Sequence, residues 1–509
     1  MSDTGYFTSE PYSIGYYSGL NPLNATLINR LSGYKNGQIK TACELGFGNG
    51  LSLCMNAVTS DTVWYGNDLM HEHVDFAQDL LERSGVENHL FAESFAQFCP
   101  RETLPEFDFI ALHGVWSWID KHDRATIVDF IHRKLKPNGI LYISYNCLPG
   151  QANLKPFRHI FAEYYKSECA QQSNKVVAVS KALDNVIKLI EIDSRFFKES
   201  TQTKDHVLRL KNRGFSYLAH EYLNDSWEPM YFNQVESDLS DADLVFLSPS
   251  HFIDKIPALA FNKEQEIFLS KTDSTVERQL AIDYITNRQF RREYWVKSKE
   301  IVNKETNLAD FSDDTCFVQT VSDSSVKLSI KADSGTFALS PEIYGPFLAC
   351  FSDYKSPSFG LLVSVMGGHN VSRAQVGEAV GIFLACGYIS VLNLEITSRA
   401  RDNSYRLNEY LLQRSRSNSD IAFFASPNIG GGMYIPRTHQ LFLSELLNKK
   451  SEDKMINRVK TLVTLNRETL IKRDGTAVNE DDVQEELRRQ YVEFLKEYLP
   501  RYRSLGILR

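Results

Sequence analysis

The chain has 509 residues, 43% of them hydrophobic and 24% charged, which is the size and composition of two or three globular domains with full cores. Its formal charge of −8 argues against a large nucleic-acid footprint, because such surfaces are built from clustered Lys and Arg. Its eight cysteines include no C-x-x-C pair, so no disulfide framework and no zinc or other metal site is indicated, and buried thiols of a reducing cytoplasm are expected.

Neither a membrane span nor a leader peptide is expected. No apolar run reaches the roughly 18 residues that a membrane helix needs. The start, Met1 to Tyr6, lacks the basic and apolar regions of a signal peptide. The chain is therefore expected to be cytoplasmic and to have no membrane partner.

Strand and helix patterns alternate through residue 150. Asn24 to Leu31 has the spacing of a lead-in helix, and strands are predicted at 41–46, 62–68, 89–93, 107–113 and 139–145. This alternation implies an α/β fold, with a parallel sheet and helices on both faces. Ligands of such sheets bind outside the carboxyl ends of the strands, so residues that follow each strand are candidate site residues.

The first predicted strand ends in a glycine-rich turn, Cys43-Glu44-Leu45-Gly46-Phe47-Gly48-Asn49-Gly50. Glycine has no Cβ and accepts positive φ, so such a turn lets a ligand approach the backbone closely. A dinucleotide site would need G-x-G-x-x-G, but the third glycine comes too early here and Glu44 would repel a pyrophosphate. Because Glu44 can accept hydrogen bonds from a cationic ligand, S-adenosylmethionine fits better than NAD.

The second predicted strand ends in an acid, Asp68, eighteen residues past Gly50. Doubly wound sheets hold a ribose diol at about this distance from the glycine turn. Asp68 is therefore the predicted ribose carboxylate.

Polar and aromatic clusters follow the fourth and fifth strands. The first is His113-Gly114-Val115-Trp116-Ser117-Trp118, and the second contains Tyr145 and Asn146 before a Pro-Gly turn. Such residues are often core, but two clusters at adjacent strand ends favour a substrate pocket. Aromatic rings can hold a methylatable ammonium by cation–π attraction, and Asn146 offers both a donor and an acceptor. The candidate catalytic residues are His113, Trp116, Trp118, Tyr145 and Asn146.

Several segments together resemble the bacterial class I methyltransferases that carry a methyltransferase regulatory domain. They are YYSGLNP at 16–22, ELGFGNG at 44–50, GNDL at 66–69, HGVWSWID at 113–120 and ISYNCLPG at 143–150. The later segments HEYL at 220–223, WEPMYF at 227–232 and FRR at 290–292 extend the match, which covers roughly residues 6–300 well and the rest weakly. The family includes rickettsial lysine methyltransferases that act on outer-membrane proteins.

The resemblance implies a Rossmann-like class I methyltransferase sheet and a set of cofactor-binding residues. Glu44 and the three glycines would line the methionine part of the cofactor, Asp68 the ribose, the turn at 93–95 the adenine, and His113 would lie beside the methionine part. The whole set is Tyr16, Glu44, Gly46, Phe47, Gly48, Gly50, Asp68, Leu69, Ser94, Phe95, His113 and Gly114. The family usually has Pro-Gly-Trp where this chain has Pro149-Gly150-Gln151. The edge of the substrate pocket is therefore expected to differ from that of the family.

The expected reaction is methyl transfer from S-adenosylmethionine to a nitrogen, most readily a protein lysine, leaving S-adenosylhomocysteine. His113 or a tyrosine is the candidate that accepts or relays the proton. Asp68→Ala is expected to weaken cofactor binding with little loss of folding.

Two other functions stay open, a small-molecule N- or O-methyltransferase and a non-catalytic scaffold that binds the cofactor. Methylation of nucleic-acid bases is disfavoured, because no N/D-P-P-aromatic motif follows the fourth strand.

Four regions are predicted along the chain. Residues 1–150 and 229–255 form the cofactor-binding core, 151–228 a helical insertion serving as lid or homodimer contact, 256–305 a middle regulatory region, and 306–509 a C-terminal domain. The last is expected to be α+β and winged-helix-like, because a helix over 372–384 precedes a strand over 387–392. Gly430 to Gly432 is interpreted as a loop, and the apolar stripe from Val483 to Tyr498 as a packing face.

Overall fold

The computed structural model describes residues 14–34, 37–171, 174–224, 226–298, 307–332, 335–446, 451–472 and 476–509. Residues 1–6, on which the expectation about a leader rests, lie outside these ranges. So do residues 299–306, at the predicted boundary between the middle region and the C-terminal domain. Among the described helices, none combines the length and hydrophobicity needed to span a bilayer.

A seven-stranded sheet forms the centre of the first 300 residues, with strand order β3-β2-β1-β4-β5-β7-β6. Strand β7 runs antiparallel to its neighbours β5 and β6, whereas β1 to β5 are parallel. Most strand residues are buried because helices cover both faces, which explains their apolar runs. The strands are β1 (Thr41–Leu45), β2 (Val63–Asp68), β3 (His89–Ala92), β4 (Phe107–Leu112), β5 (Leu135–Asn146), β6 (Leu244–Pro249) and β7 (Phe290–Lys297).

Helices of the first 150 residues cover the two faces of this sheet. Apolar side chains of α1, α2 and α3 join one buried cluster with Phe109 and Tyr142, and those of α4 and α5 join another with Ile110 and Leu141. The five predicted strands and the lead-in helix are present within a few residues of their expected ends. The helices are α1 (Pro22–Leu31), α2 (Leu51–Val58), α3 (His71–Ser84), α4 (Phe95–Phe98) and α5 (Lys121–Lys134).

A helical segment follows β5 and has its own apolar core, which includes Phe157, Phe161 and Val186. The chain then returns to the sheet through α11 and β6. The helices are α6 (Leu154–Gln171), α7 (Lys175–Glu191), α8 (Arg195–Glu199), α9 (Thr201–Leu210), α10 (Phe215–Tyr222), α11 (Phe232–Ser240), α12 (Pro257–Ala260), α13 (Lys263–Ser270) and α14 (Thr275–Thr286).

The predicted boundary at residue 255 does not divide the structure, because β7 lies inside the main sheet between β5 and β6. Strand β7 was not predicted from the sequence because it contains charged residues. Arg291 is buried and donates to Asp283 at 2.9 Å, and it also pairs with the buried Glu293. A charged residue can occupy a central strand when such partners satisfy it.

The C-terminal half adds three small antiparallel pairs, β11 with β8, β9 with β10 and β12 with β13, surrounded by helices. Ser372 caps α17 and β11 follows it, as the helix-then-strand pattern predicted. The winged-helix description stays a prediction. The elements are β8 (Phe317–Gln319), β9 (Ser329–Ala332), β10 (Gly335–Ala338), α15 (Pro341–Ala349), α16 (Phe359–Gly367), α17 (Arg373–Ala385), β11 (Ile389–Val391), α18 (Ser398–Arg414), β12 (Phe423–Ser426), β13 (Gly431–Tyr434), α19 (Arg437–Leu446), α20 (Glu452–Leu465), α21 (Val483–Glu493) and α22 (Leu499–Ser504).

Two of the three consecutive glycines, Gly431 and Gly432, lie in strand β13 and not in the predicted loop. Glycine is needed at both positions because the N-terminal segment crosses strand β13 at close range. A Cβ on Gly431 would lie 2.3 Å from the Tyr16 hydroxyl oxygen, and Asn21 donates to the Ile429 carbonyl at 3.2 Å. The C-terminal half is therefore packed directly against the segment that leads into the sheet.

Two further expectations concern buried groups. In the apolar stripe of the last helices, Leu487, Tyr491 and Phe494 are buried, as a packing face requires. The eight cysteines are free, but only four are buried, at positions 43, 54, 99 and 147, and the other four are partly exposed.

We expect Gly431→Ala to destabilise the protein by about 1–3 kcal/mol, since the added methyl group would force Tyr16 out of place. Urea denaturation would measure the change. The matched control is Gly367→Ala at the end of α16, where a Cβ meets nothing within 4 Å, and it should leave stability unchanged or raise it. Equal stability of both variants would contradict the close approach of β13 and Tyr16.

Candidate active site

A cavity of about 550 Å³ opens at the carboxyl ends of β1, β2 and β4. This is the size of a small-molecule site, at the edge where open α/β sheets bind ligands. It is lined by thirteen of the residues that the sequence singled out, namely Glu44, Gly46, Phe47, Gly48, Gly50, Asp68, Leu69, Ser94, Phe95, His113, Gly114, Trp118 and Asn146.

The glycine turn forms the floor of the cavity. Gly46, Gly48 and Gly50 have φ values of +65°, +58° and +66°, a region that other residues rarely adopt. A Cβ on Gly46 would meet Val115 at 2.7 Å, whereas one on Gly48 would meet nothing within 4 Å. The backbone at Gly48 therefore leaves open space for a ligand.

Asp68 connects the end of β2 to this turn. One carboxylate oxygen accepts a hydrogen bond from the Gly48 N–H at 2.8 Å. The other accepts from the Met70 N–H at 2.9 Å and lies 3.0 Å from Nδ1 of the buried His73. A carboxylate has about four acceptor positions, so roughly one remains for a ligand hydroxyl.

Glu44 lies at the end of β1 and is 3% exposed. Its Oε2 has no hydrogen-bond partner among the described residues. Burial, with the nearby Asp68, raises the pKa of Glu44 to about 8. A buried carboxylate without a partner is costly, and a cationic ligand would relieve that cost.

The charge of the lining also favours a cation. Besides Glu44 and Asp68, the carboxylates of Glu93, Asp123 and Glu221 border the cavity, and none of the described lining residues is Lys or Arg. The sulfonium and amine of S-adenosylmethionine fit this lining, and a pyrophosphate would be repelled by it.

The turn after β3 forms another wall. Ser94 begins α4, and its backbone N–H donates to Gln97 Oε1 at 3.0 Å. The Glu93 carboxylate accepts from Arg101 Nε at 2.8 Å, and this pairing lowers its pKa. Because Glu93 is paired with Arg101, Ser94 and Phe95 are the residues of this turn that remain available to contact an adenine ring.

His113 lies beside Tyr17, with ring centroids 3.8 Å apart. Its Nδ1 is 2.9 Å from the Tyr142 hydroxyl and 3.2 Å from the Ser144 hydroxyl. Burial, with a smaller contribution from Arg292, lowers the pKa of His113 to about 3. An imidazole with this pKa stays neutral near pH 7 and is too weak a base to take a proton from an ammonium group. The lowered pKa, together with the contact with Tyr17, favours a packing role for His113 over proton transfer.

Three predicted site residues lie away from the cavity. Trp116 is fully buried in the sheet core, although Trp118 in the same turn lines the cavity. Tyr145 points to the opposite face of β5 from Ser144 and Asn146, as alternation along a strand requires, and its hydroxyl donates to Glu293 at 3.3 Å. Tyr16 contacts the C-terminal hairpin, and its neighbour Tyr17 lines the cavity instead.

Other lining residues were not predicted because they come from distant elements. Helix α10 supplies His220 and Glu221, the loop after it supplies Asn224, and β7 supplies Phe290. The HEYL and FRR segments of the resemblance include His220, Glu221 and Phe290, but nothing in the sequence placed them at the cavity, and Asn224 lies outside both segments. The helical insertion therefore forms one wall of the site, while its role as a dimer contact stays a prediction.

Comparison with known proteins agrees with this geometry. Residues 43–143 match a family model described as a methyltransferase domain, and residues 214–297 match one described as a predicted methyltransferase regulatory domain. An uncharacterized protein of Synechocystis sp. is 29% identical over 99% of each chain. An uncharacterized protein of Rickettsia prowazekii is 30% identical over 44% of this chain and 89% of that protein.

Among solved structures, PKMT2 from Rickettsia typhi in complex with AdoHcy has a TM-score of 0.71, at 17% identity, and the match covers 98% of this chain and 100% of that one. Likeness at this identity shows a shared fold. The predicted Rossmann-like sheet and the predicted cofactor, S-adenosylmethionine, are confirmed. The chain belongs to the class I S-adenosylmethionine-dependent methyltransferases that carry a methyltransferase regulatory domain.

Proposed function

We propose that this methyltransferase modifies the side-chain nitrogen of lysine residues in a protein acceptor, with outer-membrane proteins as the first class to test. The observation that carries the proposal is the lining of the cavity, where the described residues include carboxylates but no Lys or Arg, and where the rings of Trp118 and Phe290 occur together with Asn146. Such a lining suits an amine that enters beside a cationic cofactor. The likeness in fold to PKMT2 supports a protein acceptor.

The residues at the strand ends would hold the cofactor by its three parts. Glu44 and the glycine turn would hold the methionine part, Asp68 the ribose, and Ser94 with Phe95 the adenine. When bound, S-adenosylmethionine supplies a methyl carbon activated by a positively charged sulfur. Since the carbon is already activated, these residues chiefly provide alignment, and proximity can contribute about 7–11 kcal/mol.

The acceptor side of the cavity would prepare the lysine. Its ammonium has a reference pKa of about 10.4, and an aromatic pocket lowers that value by destabilising the charged form. Trp118 and Phe290 supply such rings. The Asn146 side chain makes no hydrogen bond to another described residue, so its carbonyl oxygen remains available to orient the amine.

The released proton would go to a carboxylate and not to His113. Asp123 lines the cavity, and burial together with Asp120 raises its pKa. A raised pKa makes a carboxylate a better proton acceptor near neutral pH. The neutral His113 ring would then serve to pack Tyr17 against the site.

Changing Asp68 to Ala is expected to weaken S-adenosylhomocysteine binding by about tenfold or more, because a charge-assisted hydrogen bond to the ribose is lost. The thermal midpoint should also fall, since the Gly48 and Met70 N–H groups lose their acceptor. This replaces the expectation of little loss of folding. Calorimetry and thermal denaturation would measure both effects.

Asp68→Asn separates the two roles of Asp68, because it keeps the shape and one acceptor oxygen but removes the charge. It should lose affinity with a smaller loss of stability. The matched control is the exposed Asp75 on α3, whose change to Ala should alter neither quantity. Wild-type affinity in Asp68→Ala would contradict the assignment of the ribose position.

Cofactor binding is expected to release a proton from Glu44. Its pKa of about 8 in the ligand-free protein means that Glu44 is mostly protonated at pH 7, and a bound cation would favour the ionised form. Affinity for S-adenosylmethionine should therefore rise between about pH 6.5 and pH 8. Calorimetry in buffers of different ionisation enthalpy would count the protons released.

Glu44→Gln should abolish this proton release, whereas Glu72→Gln, at an exposed position on α3, should retain it. A pH-independent affinity in the unmodified protein would show that Glu44 does not face the cofactor's charge.

The acceptor class can be tested by incubating the protein with methyl-labelled S-adenosylmethionine and a bacterial cell-envelope extract. We expect label in a protein band and, after acid hydrolysis, in methylated lysine. Label in a low-molecular-weight fraction would instead indicate a small-molecule methyltransferase. Binding of the cofactor without any transfer of label would indicate a scaffold.

A further inference from the structure

A second cavity of about 330 Å³ lies in the helical insertion, between one face of α6 and the end of α10. Lys155, Arg158, His159 and Lys166 line it from α6, and the repeat of three or four residues places these side chains on one helix face. Tyr222, Asn224 and Trp227 form the facing wall.

This basic cavity adjoins the cofactor cavity. Asn224 lines both of them. Trp118 of the cofactor cavity and Trp227 of the basic cavity lie with ring centroids 6.3 Å apart. The Arg158 guanidinium carbon is 4.8 Å from the Trp227 ring and 5.8 Å from the Trp118 ring. The two cavities are thus separated by little more than a pair of indole rings.

The two neighbouring cavities have opposite charge. Carboxylates line the cofactor cavity, whereas three of the basic cavity's lining residues are Lys or Arg and one, Glu163, is acidic. Glu163 pairs with Lys166 at 2.9 Å. Lys155 is exposed and forms no ion pair with another described residue. It also lies in the first turn of α6, where the helix dipole adds to the attraction for an anion.

We infer that the basic cavity binds an acidic side chain of the protein acceptor while the target lysine occupies the cofactor cavity. The inference rests on the proposed function and adds to it a class of sequence around the target. The two indole rings between the cavities lie 6.3 Å apart, and a peptide advances at most about 3.3–3.6 Å per residue, so the acidic residue is expected about two to four residues from the lysine. The acceptor should therefore carry Asp or Glu at this distance from the modified lysine.

Arg158 and Lys155 have different parts in this arrangement. Arg158 also donates to the Asn224 carbonyl and stacks on Trp227, so it shapes the partition between the cavities. Lys155 has no such structural contact in the described chain, and its substitution tests charge recognition without disturbing the wall.

The test uses short synthetic peptides with one lysine and either glutamate or glutamine at the second to fourth positions on each side. Methyl transfer gives kcat and KM, and fluorescence anisotropy with S-adenosylhomocysteine present gives Kd without turnover. We expect the glutamate peptides to bind about three- to tenfold more tightly, with the gain in KM and not in kcat. The preference should shrink at high salt, as screening requires.

Lys155→Glu should remove or reverse this preference. The matched control, Lys181→Glu on the exposed face of α7, makes the same charge change away from both cavities and should keep it. Equal Kd values for the two peptide sets in the unmodified protein, or an unchanged preference in Lys155→Glu, would overturn the inference.

The anisotropy measurement keeps this inference distinct from the proposed function. If no lysine peptide is methylated, the proposed acceptor class fails, while the glutamate-to-glutamine ratio of Kd values still decides whether the cavity recognises acidic side chains. If lysine is methylated with no charge preference, the proposed function stands and the inference fails.

Discussion

The site depends on the juxtaposition of two carboxylates, Glu44 and Asp68, at the ends of adjacent parallel strands. Asp68 is stabilised there by the backbone N–H groups of Gly48, in the glycine turn, and of Met70, whereas Glu44 is buried with an oxygen that has no hydrogen-bond partner in the described part of the chain. Because burial and the repulsion between two negative groups away from water raise the pKa of Glu44, it is mostly protonated in the ligand-free protein, and a positive ligand beside the pair favours its ionised form. The strand order and the glycine turn place these two carboxylates side by side. The other residues of the cavity wall lie around the pair.

The features that could be predicted from sequence are those in which residue type alone constrains conformation. The glycine turn and the acids beside it are of this kind, since positive φ and strand-end position follow from local chemistry. The direction of a side chain within a turn or strand is different. Trp116 and Trp118 are two residues apart, and tertiary packing alone decides that the first is core and the second lines the cavity. Strand β7 was missed because the partners of its buried charges come from α14 and from β7 itself.

In the helical insertion, α10 supplies residues to both cavities, whereas α6 lines the basic cavity and not the cofactor cavity. The same segment thus borders a cavity lined by acids and one lined by bases. Recognition of a protein by charges outside the reacting centre affects which acceptor binds more than how fast it reacts, because those contacts are made equally before and during the transfer. Under the proposed function, the sheet would carry out the methyl transfer and the insertion would select the acceptor.

Tyr16 and Tyr17 are consecutive residues of the N-terminal segment. Tyr16 packs against the β12–β13 hairpin of the C-terminal half, and Tyr17 packs against His113 in the cofactor cavity. One continuous apolar core also joins Leu20 and Ile28 to Phe424 and Ile429. A fragment truncated before β12 would lose the hairpin that packs on Tyr16, next to the Tyr17 ring that lines the cofactor cavity. The cofactor cavity is therefore linked, through this segment, to packing contacts made by the C-terminal half.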